Sequence, residues 1–216
     1  MSGKRVLLIA LLAICVFMLI ACGAEPPVND PDQPASDDLA ANIDFYKSLS
    51  DNELMYKIAS DLDLCLIGSN ELLFTDPETI PSETLFMFFV YVFNQEVFEG
   101  IKDPLMYFNE DVDKYSVPVR DIRQLLQGYF ERFIFDLSQV EGYEQAEDSI
   151  FINTMSGFGG ARFPKLESKL FDKDRLTMTV AYYDGPEYQK ISYTKTYEVR
   201  FTSDGFMYLS IVRTET

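Results

Sequence analysis

Apolar side chains recur at helical spacing through the first part of this 216-residue chain and at every second position after Ser149. That change of period restricts the fold more than any other feature. Ile122, Leu125, Leu126, Tyr129, Phe130 and Phe133 fall at i, i+3, i+4, i+7, i+8 and i+11, with Arg123, Gln124, Gln127, Glu131 and Arg132 on the opposite side, which is the stripe of an amphipathic helix. Ser50 and Glu53 have capping-box spacing ahead of Leu54, Ile58 and Leu62, predicting a helix that runs up to Gly68. Beyond Ser149 the pattern predicts strands over about 149–155, 165–171, 175–183, 189–201 and 206–213. Turn residues separate the last four, at Asp172 to Asp174, Asp184 to Pro186 and Ser203 to Gly205. Leu176, Met178, Val180 and Tyr182 share one face of their strand, and Thr177, Thr179 and Ala181 the other. Helices first and strands afterwards predict an α+β domain, with N-terminal helices packed on one face of a C-terminal curved antiparallel meander.

Two segments are less determined. The unbroken apolar run from Leu85 to Phe93, opened by Pro81, Ser82 and Glu83, fits a core helix or a buried strand equally well. The stretch from Asp103 to Ser116 is polar and aromatic and reads as a connector.

The chain has no histidine and no tryptophan. This excludes Ser-His-Asp and Cys-His catalysis, histidine metal ligation and the usual neutral-pH proton shuttle. A formal charge of −17 excludes nucleic acid as a partner.

The N-terminus has the charged n-region MSGKR, sixteen mostly apolar residues from Val6 to Ala21, and a small-residue exit at Cys22 and Gly23. The stretch Leu19, Ile20, Ala21, Cys22 resembles the lipobox of bacterial lipoproteins. The resemblance implies cleavage of a signal peptide (1–21) before Cys22, lipidation of Cys22, and a bacterial membrane, cytoplasmic or outer, as the partner that the lipid engages from outside the cytoplasm. Two acyl chains are enough for stable anchoring. With Lys4 and Arg5 removed, 16 cations would face 35 acids, a net −19. Residues 22–38 hold the lipidated cysteine and a Pro- and Asp-rich tether too polar to pack, so one domain is expected over 39–216. Cys15 leaves with the signal, and Cys65, which continues the stripe of Leu54, Ile58 and Leu62, is expected to be buried and unpaired.

The layout of VPVRDIRQLLQGYF at 117–130, the Gly-rich SGFGGARF at 156–163 and the final meander resembles the cone-shaped NTF2-like and cystatin-like folds and the secreted inhibitors of cell-wall DL-endopeptidases. It implies a concave sheet and, for the inhibitors, a basic envelope hydrolase as partner. Local motifs add little. Ser192 and Lys195 match S-x-x-K, but residues three apart on a strand face opposite ways. Gly157, Gly159, Gly160 and Arg162 could form an anion nest or a plain loop. The acid pairs Asp172/Asp174 and Asp111/Asp113 lack the rest of a calcium loop, so no metal site and no cofactor is assigned. Lys195 is the exception: it falls on the apolar row of Ile191, Tyr193, Tyr197, Val199 and Phe201. It either lines a pocket, sits where a bulge resets the phase, or snorkels past the sheet edge. Lys195, Gly159, Gly160 and Arg162 are thus the candidate contacts of a non-catalytic binding module. Its ligand would be a small molecule or a basic envelope protein, the alternatives being an acidic regulator of cell-wall hydrolases and an enzyme that uses carboxylates.

Overall fold

A computed structural model of the chain describes residues 37–60, 71–153 and 163–216. Four α-helices lie among them, α1 (Asp37–Ser48), α2 (Asp51–Met55), α3 (Ser82–Phe98) and α4 (Val119–Tyr129). The strands are β1 (Phe108–Asn109), β2 (Lys114–Pro118), β3 (Tyr143–Glu144), β4 (Ser149–Ile152), β5 (Phe163–Asp172), β6 (Arg175–Tyr183), β7 (Ile191–Phe201) and β8 (Phe206–Glu215). The protein is α+β with a C-terminal antiparallel sheet in the order β5-β6-β7-β8.

That sheet has a dry face and a wet one because its strands alternate. Leu176, Met178, Val180 and Tyr182 on β6, Tyr193, Tyr197, Val199 and Phe201 on β7, and Tyr208 and Ile211 on β8 are all buried. Between them Thr177, Thr179, Thr194 and Thr196 stay half-exposed, with the Thr179 and Thr196 hydroxyls 3.3 Å apart across the ladder. Lys173 and Asp174 close β5 to β6 in a two-residue loop, with Lys173 at φ 54°, as the right-handed strand twist favours.

The helices cover the dry face. Ser50 caps α2 through the predicted capping box, its Oγ accepting from the Glu53 backbone N–H at 3.3 Å while Glu53 Oε2 accepts from the Ser50 N–H at 2.9 Å. The helix then widens into a π-helical turn, Tyr56–Ser60, and the rest of the expected helix, with Leu62 and Cys65, lies outside the described residues. An earlier helix, α1, was not evident in the sequence. It is fixed by Asn42, whose Nδ2 donates to Thr202 O and Gly205 O in the β7–β8 turn at 2.8 and 2.7 Å, and by Tyr46, whose ring lies 4.9 Å from that of Phe201.

The run from Leu85 to Phe93 is helical, and its lack of a polar side has a structural reason. Phe88 meets Phe130 and Tyr208 at 5.2 and 6.3 Å, while Phe93 and Phe89 meet Tyr107 at 5.2 and 6.1 Å. A helix packed on both sides is hydrophobic all round, so periodicity could not identify it.

Three expectations need correction. Residues 103–116 are not a mere connector: they supply β1 and the start of β2, which pair with each other and, through β2 against β4, build a second sheet of order β1-β2-β4-β3. The strand at Ser149 belongs to that sheet rather than to the meander, with Val117 opposite Ile150. The pairs are too short to announce themselves by alternation. Helix α4 ends at Tyr129, four residues before the stripe does, because Phe130 turns extended at φ −133° to bury its ring.

Phe88 is 1% exposed and Phe98, on the same helix, 89%. Phe88→Ala should cost about 4 kcal/mol in urea denaturation and Phe98→Ala less than about 0.5. Equal losses would show that α3 is not the core element described.

Candidate functional site

Beside β8 the dry face of the sheet is left partly open. A cleft of about 300 Å³ runs between α1, the π-turn, α3, α4 and β8. Its walls are rich in aromatics: beside the exposed Tyr56 of the π-turn stand Tyr46, Phe88, Tyr91, Tyr129, Phe206 and Tyr208. Each comes from an element placed for packing reasons, Tyr91 and Phe88 from α3, Tyr46 from α1, Tyr129 from the last turn of α4, and the other two from β8.

The rings brace one another. Tyr129 lies edge-on to Phe88 at 5.0 Å and stacked on Tyr208 at 6.5 Å, and Phe206 is edge-on to both Tyr46 and Tyr208, at 5.9 and 5.1 Å. Such contacts fix ring orientation at little entropic cost. The Tyr208 hydroxyl donates to Ile58 O at 2.9 Å, which ties the π-turn to the sheet; π-turns in helices often mark functional sites.

The rim is polar, with Gln95, Glu96 and Glu99 from one face of α3 and Lys57 from the π-turn. Burial pushes the Tyr46 phenol up to about 12, with Tyr129 adding to the shift. Tyr208 is raised well above its ordinary value, again by burial and then by the neighbouring phenols of Tyr129, Tyr91 and Tyr46. Tyr129 is raised by burial and then by the negative charges of Glu96 and Glu99. The three phenols therefore stay protonated at neutral pH; the Tyr208 proton is taken up by Ile58 O, which leaves the Tyr46 and Tyr129 hydroxyls as potential donors.

Of the residues nominated from sequence, only Lys195 is among the described ones, and it does not line the cleft. Cys22, Cys65, Gly157, Gly159, Gly160 and Arg162 fall outside the described residues. Lys195 is inward, as its row predicts, and 2% exposed. Neither a bulge nor a sheet edge explains it. The register shifts in its two ladders lie to either side, at Tyr182/Tyr183 and Glu198/Val199, and Lys195 stays opposite Val180 and Arg213. It is not part of the cleft wall either. Its Nζ sits 2.6 Å from Glu71 Oε1, and Glu71 Oε2 takes Arg213 Nη1 at 3.0 Å. One carboxylate thus bridges two cations that face each other across the ladder, with the Tyr193 ring 3.9 Å from the Arg213 guanidinium. Glu71 is held there because the chain after it bonds to β8, Phe74 N to Ile211 O and Ile211 N to Phe74 O, both 2.9 Å.

Ser192, by contrast, hydrogen-bonds Asp184 on the outer face, so the S-x-x-K groups point apart. The acid pairs sit in turns, with Asp113 at φ 52° and Asp172 and Asp174 around the β5–β6 loop. No group of three or more Asp, Glu, Cys or His side chains placed to hold a metal ion occurs among the described residues.

The cleft itself carried no sequence signal. Its tyrosines are spread from position 46 to 208, and each alone reads as core. No family model, curated protein or solved structure matches the chain.

Two outcomes follow from these charges and phenols. Glu71→Gln leaves the buried Lys195 ammonium without its carboxylate, Arg213 keeping Glu215 at 2.6 Å, and should cost about 3 kcal/mol, while Lys195→Met keeps the Glu71–Arg213 pair and should change stability by less than about 1 kcal/mol. Chemical denaturation with a larger loss for Lys195→Met would contradict the bridge. The raised phenols of Tyr46 and Tyr107, both pushed to about 12, favour the neutral ring in the folded state. Their contribution is complete below the ordinary value of 10.0 and is lost as pH rises through 12. Thermal melts across that window should show stability falling and tyrosinate absorbance lagging behind that of the denatured chain; coincident absorbance curves would refute the burial.

Proposed function

We propose that the protein is a membrane-anchored, extracytoplasmic lipoprotein without catalytic activity, whose α+β domain holds a small ligand in the tyrosine-lined cleft. The observation that carries the binding reading is the cleft wall itself, seven aromatic side chains from five separate elements around a space of about 300 Å³. That volume lies at the small end of ligand sites, which are mostly apolar with a few polar groups to fix orientation. Lipid attachment at Cys22 rests on the signal-like N-terminus; among the described residues no helix is long and apolar enough to cross a membrane.

The acidic surface supports a second reading, regulation of a basic envelope hydrolase. Such an association would be steered by charge and weakened by salt, whereas a ligand desolvated between rings would respond little to salt.

Native mass spectrometry of protein purified from envelopes tests the binding reading. A small molecule should co-purify and be absent from Gln95→Trp, which fills the cleft mouth. An unliganded wild type that instead captures a basic envelope protein only at low salt would overturn it. Cys22→Ala in the same cells should move the protein out of the detergent phase, and retention there would overturn the anchoring.

A further inference from the structure

The chemistry of the cleft goes beyond an apolar hole, and it discriminates among ligands by charge. Its acids come from one face of α3, where Glu96 and Glu99 lie three residues apart on the rim, and both act on Tyr129. An adjoining hollow shares Tyr46, Tyr129 and Phe206 and adds Asp204. Against these three carboxylates the two linings contain one cation, Lys57, and its ammonium is held 5.7 Å from the Phe45 ring centroid. An anionic ligand would meet a carboxylate excess at this rim, where among the described residues only Glu96 is ion-paired, by Lys102, and the chain as a whole, at −17, would repel it.

The end of α3 also carries an internal precedent. Lys102 Nζ lies 2.9 Å from Glu96 Oε2 and 5.9 Å from the Phe93 centroid, so an ammonium is already seated between a ring and one of the rim carboxylates. Glu99 has no ion-pair partner among the described residues.

Resting on the binding reading above, we infer that the ligand is a small organic cation, a primary or quaternary ammonium, whose charge lies against the rings of Tyr46, Tyr129 and Phe206 and is balanced by Glu99 and Glu96. Aromatic walls with a carboxylate rim are the general solution to this problem. Each ring presents a negative face to the cation, and the attraction grows when water is excluded. The small volume admits a head group or a free amine of similar size, with the phenol hydroxyls left to bond a polar tail. In this arrangement Lys102 is a competitor, because it occupies the Glu96 oxygen that a ligand would use.

The test uses the full chain in a non-ionic maltoside detergent. Tyrosine emission is the signal, unobscured because tryptophan is absent. The probes are choline, its neutral isostere with carbon in place of nitrogen, and acetate, all at constant ionic strength. Choline should bind saturably and at least about ten-fold more tightly than the isostere, with no response to acetate. Glu99→Gln should weaken choline by about five-fold and leave the isostere unchanged, while Lys102→Met should tighten choline by a similar factor. That gain has no counterpart in a merely structural role for Lys102.

Isostere or acetate binding as tightly as choline would overturn the cation while leaving a binding cleft. No response to any of the three would overturn the cleft as a binding site as well. Phosphatidylcholine vesicles, against phosphatidylglycerol vesicles as control, then identify the source. Displacement of choline by the former assigns the cation to a lipid head group, and failure to displace it assigns the site to a free solute; both support the inference.

Discussion

The inward row of the β5–β8 sheet has to be taken out of water, and the placement of every helix follows from that requirement. Ten residues on β6, β7 and β8 present an apolar surface broken by Lys195, the aliphatic, Met and Phe side chains among them each worth about 1.5–3 kcal/mol when buried. An amphipathic helix covers part of it, with Ile122 and Leu126 of α4 fully buried. What remains is a strip over β8 that must be filled by a helix with apolar residues on all sides, because that helix also supports the second sheet through Tyr107. Helix α3 is that element. Its last turns run past the edge of the covered area, and the polar residues Gln95, Glu96 and Glu99 there form the cleft rim. The site is therefore a consequence of where the core ends.

The same face contains the one costly exception, the Lys195 ammonium. An inward lysine opposite an arginine would break the sheet without a counter-charge, and the chain supplies one from outside the sheet. Glu71 arrives on a segment that pairs with the free edge of β8 at Phe74, so edge protection and charge neutralisation come from the same four residues. Breaking one should disturb the other, which is why removing Glu71 is expected to be far worse than removing Lys195.

Legibility in the sequence followed sequence distance. The capping box at Ser50, the stripe of α4 and the alternation of β6 are local patterns, and each survived into the structure. Lys195 was identified as inward from its neighbours alone, but its partner could not be, since Glu71 lies far away in the chain. Phe88 and Phe93 defeated periodicity because α3 is buried on two sides. The second sheet leaves no local pattern because β1 and β3 are two-residue strands, whose order comes from pairing with β2 and β4 rather than from their own composition. The cleft was invisible for a stronger reason: Tyr46, Tyr129 and Tyr208 are ordinary core-like residues until three distant elements bring their phenols to one place.

The chain therefore offers two competing centres, one around the Lys195 ammonium, which the sequence singled out, and one around the α3 rim, which only the packing reveals. Ring-labelled tyrosine resonances, followed while choline is titrated into the full chain, separate them directly. The account predicts that the signals of Tyr46, Tyr129 and Tyr208 shift together along one saturable curve while those of Tyr182, Tyr193 and Tyr197 stay in place. Movement of Tyr193 with Tyr46 and Tyr129 unchanged would put the site at Lys195 and contradict the central claim.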